Sequence, residues 1–202
     1  MRAFFDDLEP KAAFCLELFE GGRQDEALTL CCCYIDGLAH YSYGDSPQRS
    51  AFNFARILRE HGEEKDLDLV SALALVRHLE EDRPKLAPLA AAIRKYMGAS
   101  LGDLTTQPQL EARLTSFLPG KDMERLTPHL WRGSLAHIAY KRLRVPFVHA
   151  ISGPGAVVVG TSDHRDPAGI HIDFRMLHRA LVAIIRRCRE LSESTGKWFG
   201  HS

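Results

Sequence analysis

The chain has 202 residues, 45% of them hydrophobic and 26% charged, with 26 basic residues balancing 26 acidic ones. That suits one globular domain with an ordinary core, and the zero net charge excludes a protein whose whole surface coats nucleic acid. No apolar run approaches the roughly 20 residues of a membrane span, and Met1-Arg2-Ala3-Phe4-Phe5-Asp6-Asp7 turns acidic where a signal peptide would be apolar. The expectation is a cytoplasmic protein with no membrane partner.

The first 140 residues read as helices. Pro10 to Phe19 carries Phe14, Leu18 and Phe19 at helical spacing, and Gly21-Gly22 ends it. Gln24 to about Tyr41 is apolar around most of its circumference, as the central helix of a bundle is, with Asp36 inside it. Ser46-Pro47 is an N-cap and first helical position for a helix reaching His61-Gly62. Leu67 to Leu79 gives a fourth helix, Pro84 and Pro88 open a fifth running to about Met97, and Gln109 to Phe117 is a short sixth. After the turn Pro119-Gly120, Thr127-Pro128 opens a helix that runs to roughly Tyr140.

The pattern then changes. Val145–Ile151 and Ala156–Gly160, joined by Ser152-Gly153-Pro154-Gly155, read as a β-hairpin, and Gly169–Phe174 alternates as a third strand would. The last helix, about Phe174 to Leu191, has Asp173 as N-cap and an apolar stripe of Leu177, Leu181, Ile184, Cys188 and Leu191. The fold expected is mainly α: a helical bundle in a single domain over 1–192, with a small β-hairpin at about 145–160 or three-stranded insertion before the C-terminal helix. Residues 193–202 would be a tail.

Cysteine usage fits a reducing compartment. Cys31, Cys32 and Cys33 are consecutive on a helix and point about 100° apart, so they cannot converge on one metal. Charge is unevenly spread: Trp131 to Arg189 carries 10 Arg and Lys against 3 Asp, and no Glu. Such a segment serves a polyanion or pairs with the acidic N-terminal part.

Against that background Leu130-Trp131-Arg132-Gly133-Ser134-Leu135-Ala136-His137 stands out. A histidine can take the proton of a 2′-hydroxyl, and a guanidinium can hold the phosphate that hydroxyl attacks. Spacing alone does not select this pair, because R-x4–6-H also occurs at Arg56–His61, Arg144–His149, Arg142–His149 and Arg165–His171. Those lie at a helix end, across Pro146 into a strand, or in a loop. Arg132 and His137 lie near a helix start with small residues between them, and Tyr140 follows one turn on. Five steps of a continuous helix place the two about 140° apart, so convergence calls for leaning side chains or a symmetric second copy. Asp36, buried in the bundle, would pair with an arginine, Arg132 first, or with a hydrogen-bond donor. A weaker alternative is a metal site from His164, Asp166, His171, Asp173 and His178. Serine-nucleophile and glycine-rich nucleotide motifs are absent.

A helical bundle with R-x4–6-H on a late helix resembles the HEPN superfamily, the "higher eukaryotes and prokaryotes nucleotide-binding" helical domains. The motif phrase is similar to the R-x-G-L-x-H form of bacterial members, and Ala27 to Leu38, Tyr43-Gly44 and Arg49 to Phe54 are similar to the first part of small bacterial HEPN-like proteins. The resemblance covers about residues 24–61 and 125–192. It implies a homodimer with the motif helices across a cleft and, in many members, metal-independent endoribonuclease activity of toxin or phage-defence type, with an antitoxin such as a nucleotidyltransferase. Arg132 and His137 carry over as the catalytic positions, with Asp36, Ser134 and Tyr140 supporting. The substrate would be RNA, with no cofactor and no metal. The alternative is a non-catalytic module binding nucleotide, RNA or protein. The residue after the motif arginine is often Asn, Asp or His in the family; here it is Gly133.

Overall fold

A computed structural model of the chain describes residues 2–44, 46, 49–144 and 172–199. These are mainly helical with one small antiparallel sheet, the class expected from the periodicity. Within them, residues 2–64, 139–144 and 172–199 form one compact unit and residues 65–138 a second. Among the described residues no helix is long and apolar enough to cross a membrane.

The first unit is built on helices α1 (Arg2–Glu20), α2 (Gln24–Tyr43), α3 (Ser50–His61) and a C-terminal helix, Phe174–Thr195. Helix α2 buries Ala27, Leu28, Cys31, Cys32, Ile35, Leu38 and Ala39 and packs against the other three, as its broad apolar surface anticipates. Helix α1 starts eight residues before Pro10. The stripe Phe5, Leu8, Ala12, Cys15 and Leu18 runs through the proline, and its burial outweighs the ~3 kcal/mol an interior proline costs. Helix α3 starts at Ser50, later than the Ser46 cap expected. Gly62 closes α3 against the C-terminal helix: a Cβ there would lie 2.3 Å from the Leu58 carbonyl oxygen and 3.2 Å from Ala180 Cβ. The C-terminal helix is capped as expected, Asp173 Oδ1 accepting from the Met176 N–H at 2.7 Å. It runs to Thr195, and beyond it Trp198 and Phe199 pack on Phe4 and Phe5, so residues 193–199 are not a loose tail. The expected hairpin and most of the third strand lie outside the described residues.

The arginines of the C-terminal helix are neutralised within their own unit. Arg179 pairs with Glu64 at 2.5 Å, Arg186 with Glu63 at 2.5 Å, and Arg189 with Asp6 and with Glu9 at 2.8 Å. Of the two uses open to a basic segment, this helix takes the intramolecular one. Its charge is therefore no argument for a second copy.

The cysteines divide as a helix demands: Cys31 and Cys32 are buried and Cys33 exposed. Burial pushes the thiol of Cys15 up to about 11, that of Cys188 up to about 12, and that of Cys31 well above its ordinary value. Native protein at neutral pH should therefore incorporate one equivalent of iodoacetamide, at Cys33, and five after unfolding. Rapid native labelling at Cys15 or Cys188 would contradict this packing.

The second unit holds β1 (Leu69–Ser71), α4 (Ala72–Asp82), α5 (Ala87–Met97), β2 (Leu104–Thr106), α6 (Gln107–Thr115) and α7 (Gly120–Leu126). The fourth helix was expected to begin at Leu67. Instead Lys65–Asp68 is a 3-10 turn, and Leu69, Val70 and Ser71 pair antiparallel with Thr106, Thr105 and Leu104. Ser71 then caps α4, its Oγ accepting from the Ala74 N–H at 3.3 Å. Helix α6 starts with a capping box between Thr106 and Gln109. Val70, Leu75, Leu79, Ile93, Leu110, Leu114, Leu126 and Leu130 belong to one core. That core gives the next segment a fixed floor.

Candidate functional site

The motif is not one continuous helix. Thr127–Gly133 is a 3-10 helix, Ser134 is extended at φ −71° and ψ 150°, and a new helix, α8 (Leu135–Ala139), follows. Thr127 is not the cap expected of it; its hydroxyl donates to the Met123 carbonyl at 2.8 Å. Ser134 makes the break. Its backbone bridges to Val70, and its Oγ accepts from the His137 N–H at 3.2 Å, capping α8. Gly133 lets the chain approach this closely: a Cβ there would lie 2.8 Å from the Ser71 carbonyl oxygen and 3.3 Å from Leu75 Cβ. Gly133 thus has a packing cause.

The break replaces the straight-helix geometry, and both motif residues lie against Trp131. The Arg132 guanidinium lies 4.6 Å from the indole centroid, and the His137 ring lies 4.8 Å from it, edge-on at 73°. Trp131 is held by its indole N–H donating to the Pro128 carbonyl at 3.1 Å. His137 is only 2% exposed, whereas Trp131 and Arg132 are half-buried.

Three residues that sequence reasoning missed complete the group. The His78 ring lies 6.1 Å from that of His137 and 6.0 Å from that of His129, and its Nδ1 is 2.8 Å from Asp82 Oδ2. The signal available was weak: His78 and Asp82 share a helix face at i, i+4, and His129 precedes Arg132 by one 3-10 turn. Nothing local says that α4 packs against the motif segment.

The electrostatics are cationic. Burial lowers the Arg132 guanidinium from its ordinary value, and Arg83 lowers it further, with Asp82 acting the other way. Burial also lowers the His129 imidazole, with Arg132 and then Arg83 adding to it. Arg132 Nε and His129 Nδ1 are buried and meet no hydrogen-bond partner among the described residues. The group can do two things chemically: hold an anion through a guanidinium, and move protons through imidazoles.

Tyr140 and Asp36, also expected at the site, belong to the first unit. Tyr140, in the first unit, donates its hydroxyl to Ser50 Oγ at 3.2 Å and packs on Phe54, and Ser50 in turn donates to Asp36 at 3.5 Å. Asp36 and Arg132 belong to different units. Asp36 is half-buried rather than interior, so Asp36→Ala should cost about 1 kcal/mol, read from the urea midpoint. A loss of about 3–5 kcal/mol would mark a broken, fully buried pair instead.

Of the alternative metal group, His164, Asp166 and His171 lie outside the described residues, Asp173 is a helix cap, and the His178 Nε2–H donates to the Ala12 carbonyl at 3.0 Å. No group of three His, Cys, Asp or Glu among the described residues is placed to hold a metal ion. Of the rival spacings, Arg56 is paired with Glu60 at 2.7 Å and stacks on Tyr43; His149, His171 and Arg165 lie outside the described residues. Family models, curated proteins and solved structures yield no match to this chain.

Proposed function

We propose that this chain is a HEPN-like, metal-independent endoribonuclease in which Arg132 clamps the scissile phosphate and His137 is the general base. The observation that carries the reading is that Arg132 and His137 each lie against the Trp131 ring, 4.6 and 4.8 Å from its centroid, beside a cluster of imidazoles with excess positive charge. In the reaction the 2′-oxygen–phosphorus bond forms and the bond from phosphorus to the 5′-oxygen breaks. His137 takes the 2′-hydroxyl proton, and the leaving 5′-oxygen collects one from a protonated neighbouring imidazole or from solvent. The ends left are a 2′,3′-cyclic phosphate and a 5′-hydroxyl. Ser134 supports this through the backbone, by fixing the His137 turn. Toxin or phage-defence use, a homodimer and a nucleotidyltransferase-type antitoxin are what the resemblance implies, and a cytoplasmic setting fits the cysteine usage.

The near-complete burial of His137 favours a second reading, a non-catalytic module that holds RNA or nucleotide phosphate at Arg132. One experiment separates the two. Purified protein is incubated with total RNA in EDTA, beside His137→Ala. Wild-type cleavage with cyclic-phosphate ends, lost in the variant, supports the nuclease; RNA binding with no cleavage supports the module. Light scattering of the same preparation should give twice the chain mass if the dimer forms.

A further inference from the structure

The histidine cluster of the second unit gathers more positive charge than the cleavage reaction uses. Arg83 is the C-cap residue of α4, Arg132 closes the 3-10 turn, and His129 lies three residues before it. Arg83 acts on both Arg132 and His129, and Arg132 on His129. Asp82, whose carboxylate acts the other way on Arg132, is engaged by His78 at 2.8 Å. The half-buried Arg132 and the exposed Arg83 therefore repel one another, and both repel His129 once it is protonated, a cost that a bound anion would offset.

Two atoms mark where an anion would be met. Arg132 Nε and His129 Nδ1 are both buried without a partner among the described residues, and in folded proteins such groups are completed by an ordered water, an ion or a ligand. We infer that Arg83, His129 and Arg132 form a binding site for a phosphate group. Phosphate fits because its oxygens can accept from a guanidinium fork and an imidazole N–H together, and its charge of up to two offsets a centre of two to three positive charges. The site shares Arg132 with the cleavage reading but stands without it, because binding uses neither His137 nor a proton transfer to substrate.

The pH dependence has a definite sign. Burial, Arg132 and Arg83 all oppose protonation of His129; the His78 ring, itself hydrogen-bonded to Asp82, is its other titratable neighbour. A bound anion offsets the two arginine effects, so binding takes up a proton and tightens as pH falls through the imidazole range.

The test is calorimetric titration of the full chain with inorganic phosphate, and with sulfate across about pH 5.5 to 8, where sulfate does not titrate and imidazole does. Arg83→Gln, His129→Gln and Arg132→Gln should each weaken phosphate binding by about ten- to a hundredfold. Lys121→Gln, the same charge change at an exposed position, should leave it unaltered. His129→Gln should also flatten the sulfate pH dependence. Arg83 is exposed, so its variant folds and carries the test even where Arg132→Gln melts early. Oligonucleotides with and without a 5′-phosphate identify the source: a preference for the phosphorylated one assigns a terminal phosphate, and equal affinity assigns the backbone. No binding of either inorganic anion at millimolar concentration overturns the site, as does binding that Arg83→Gln and His129→Gln leave intact. Phosphate binding without RNA cleavage removes the nuclease and leaves the site. Cleavage with no phosphate binding does the reverse.

Discussion

RNA cleavage should fall about 10²–10⁴-fold in His137→Ala and about 10²–10³-fold in Arg132→Ala. The first figure is what a positioned general base contributes, the second what one lost donor to a developing oxyanion costs. His137 sits edge-on to Trp131 and is buried, so its alanine variant also leaves a small void. His137→Gln keeps the volume and the polarity without the base, and should lose as much activity while melting nearer the wild type. Arg132→Lys keeps the charge but not the planar fork or the stacking on Trp131, and should recover only part of the rate. The rate should respond to pH near neutrality, as an imidazole base requires, and EDTA should leave it unchanged. Full activity in His137→Gln, with the fold intact, would sink the assignment of His137 as base.

Filling Gly133 should destabilise the second unit. The Cβ of an alanine would stand 2.8 Å from the Ser71 carbonyl oxygen. That oxygen belongs to β1, which is tied to β2 and leads into the capped start of α4. A backbone carbonyl so held cannot swing aside as a flexible side chain would. Gly133→Ala should therefore cost about 1–3 kcal/mol, the range for overpacking, and lower the melting temperature by roughly 2–12 °C for a chain of this size. Gly133→Asn, which restores a residue common at this position in the resembled family, should cost at least as much. An asparagine variant as stable as the wild type would show that the motif segment is free to move off β1.

The same glycine shows where local pattern stops being informative. Helix α2 and the C-terminal helix were legible because Leu28, Cys31, Ile35 and Leu38, or Leu177, Leu181, Ile184 and Cys188, repeat at the spacing of a helical turn; that period is a property of a few neighbouring residues. The Asp173 cap was legible for the same reason. The strand at Leu69–Ser71 was not. Its residues continue the periodic run of Leu67 to Leu79, and only pairing with Leu104–Thr106, some 35 residues on, makes them a strand.

The candidate site divides along the same line. Arg132 and His137 could be singled out by residue type and place near a helix start, not by spacing alone, and a straight helix set them on different faces. The extended Ser134 breaks the helix between them, so that His137 lies against Trp131, and that break is held by the bridge to Val70 and a glycine fitted against Ser71. His78, Asp82, Arg83 and His129 carry no motif at all; they join the site because the core of the second unit packs α4 beside the 3-10 turn. The arginines of the C-terminal helix read equally well as a surface for a polyanion or as one side of internal ion pairs, until α1 and Glu63-Glu64 were placed beside them. Sequence by itself thus determined the helical class and most helices, because each rests on contacts within a turn or two of chain, and it offered Arg132 and His137 as the candidate pair. The small sheet, the broken motif helix, the histidine cluster and the fate of the basic charge were decided by tertiary structure, because each depends on residues that only folding brings within reach of one another.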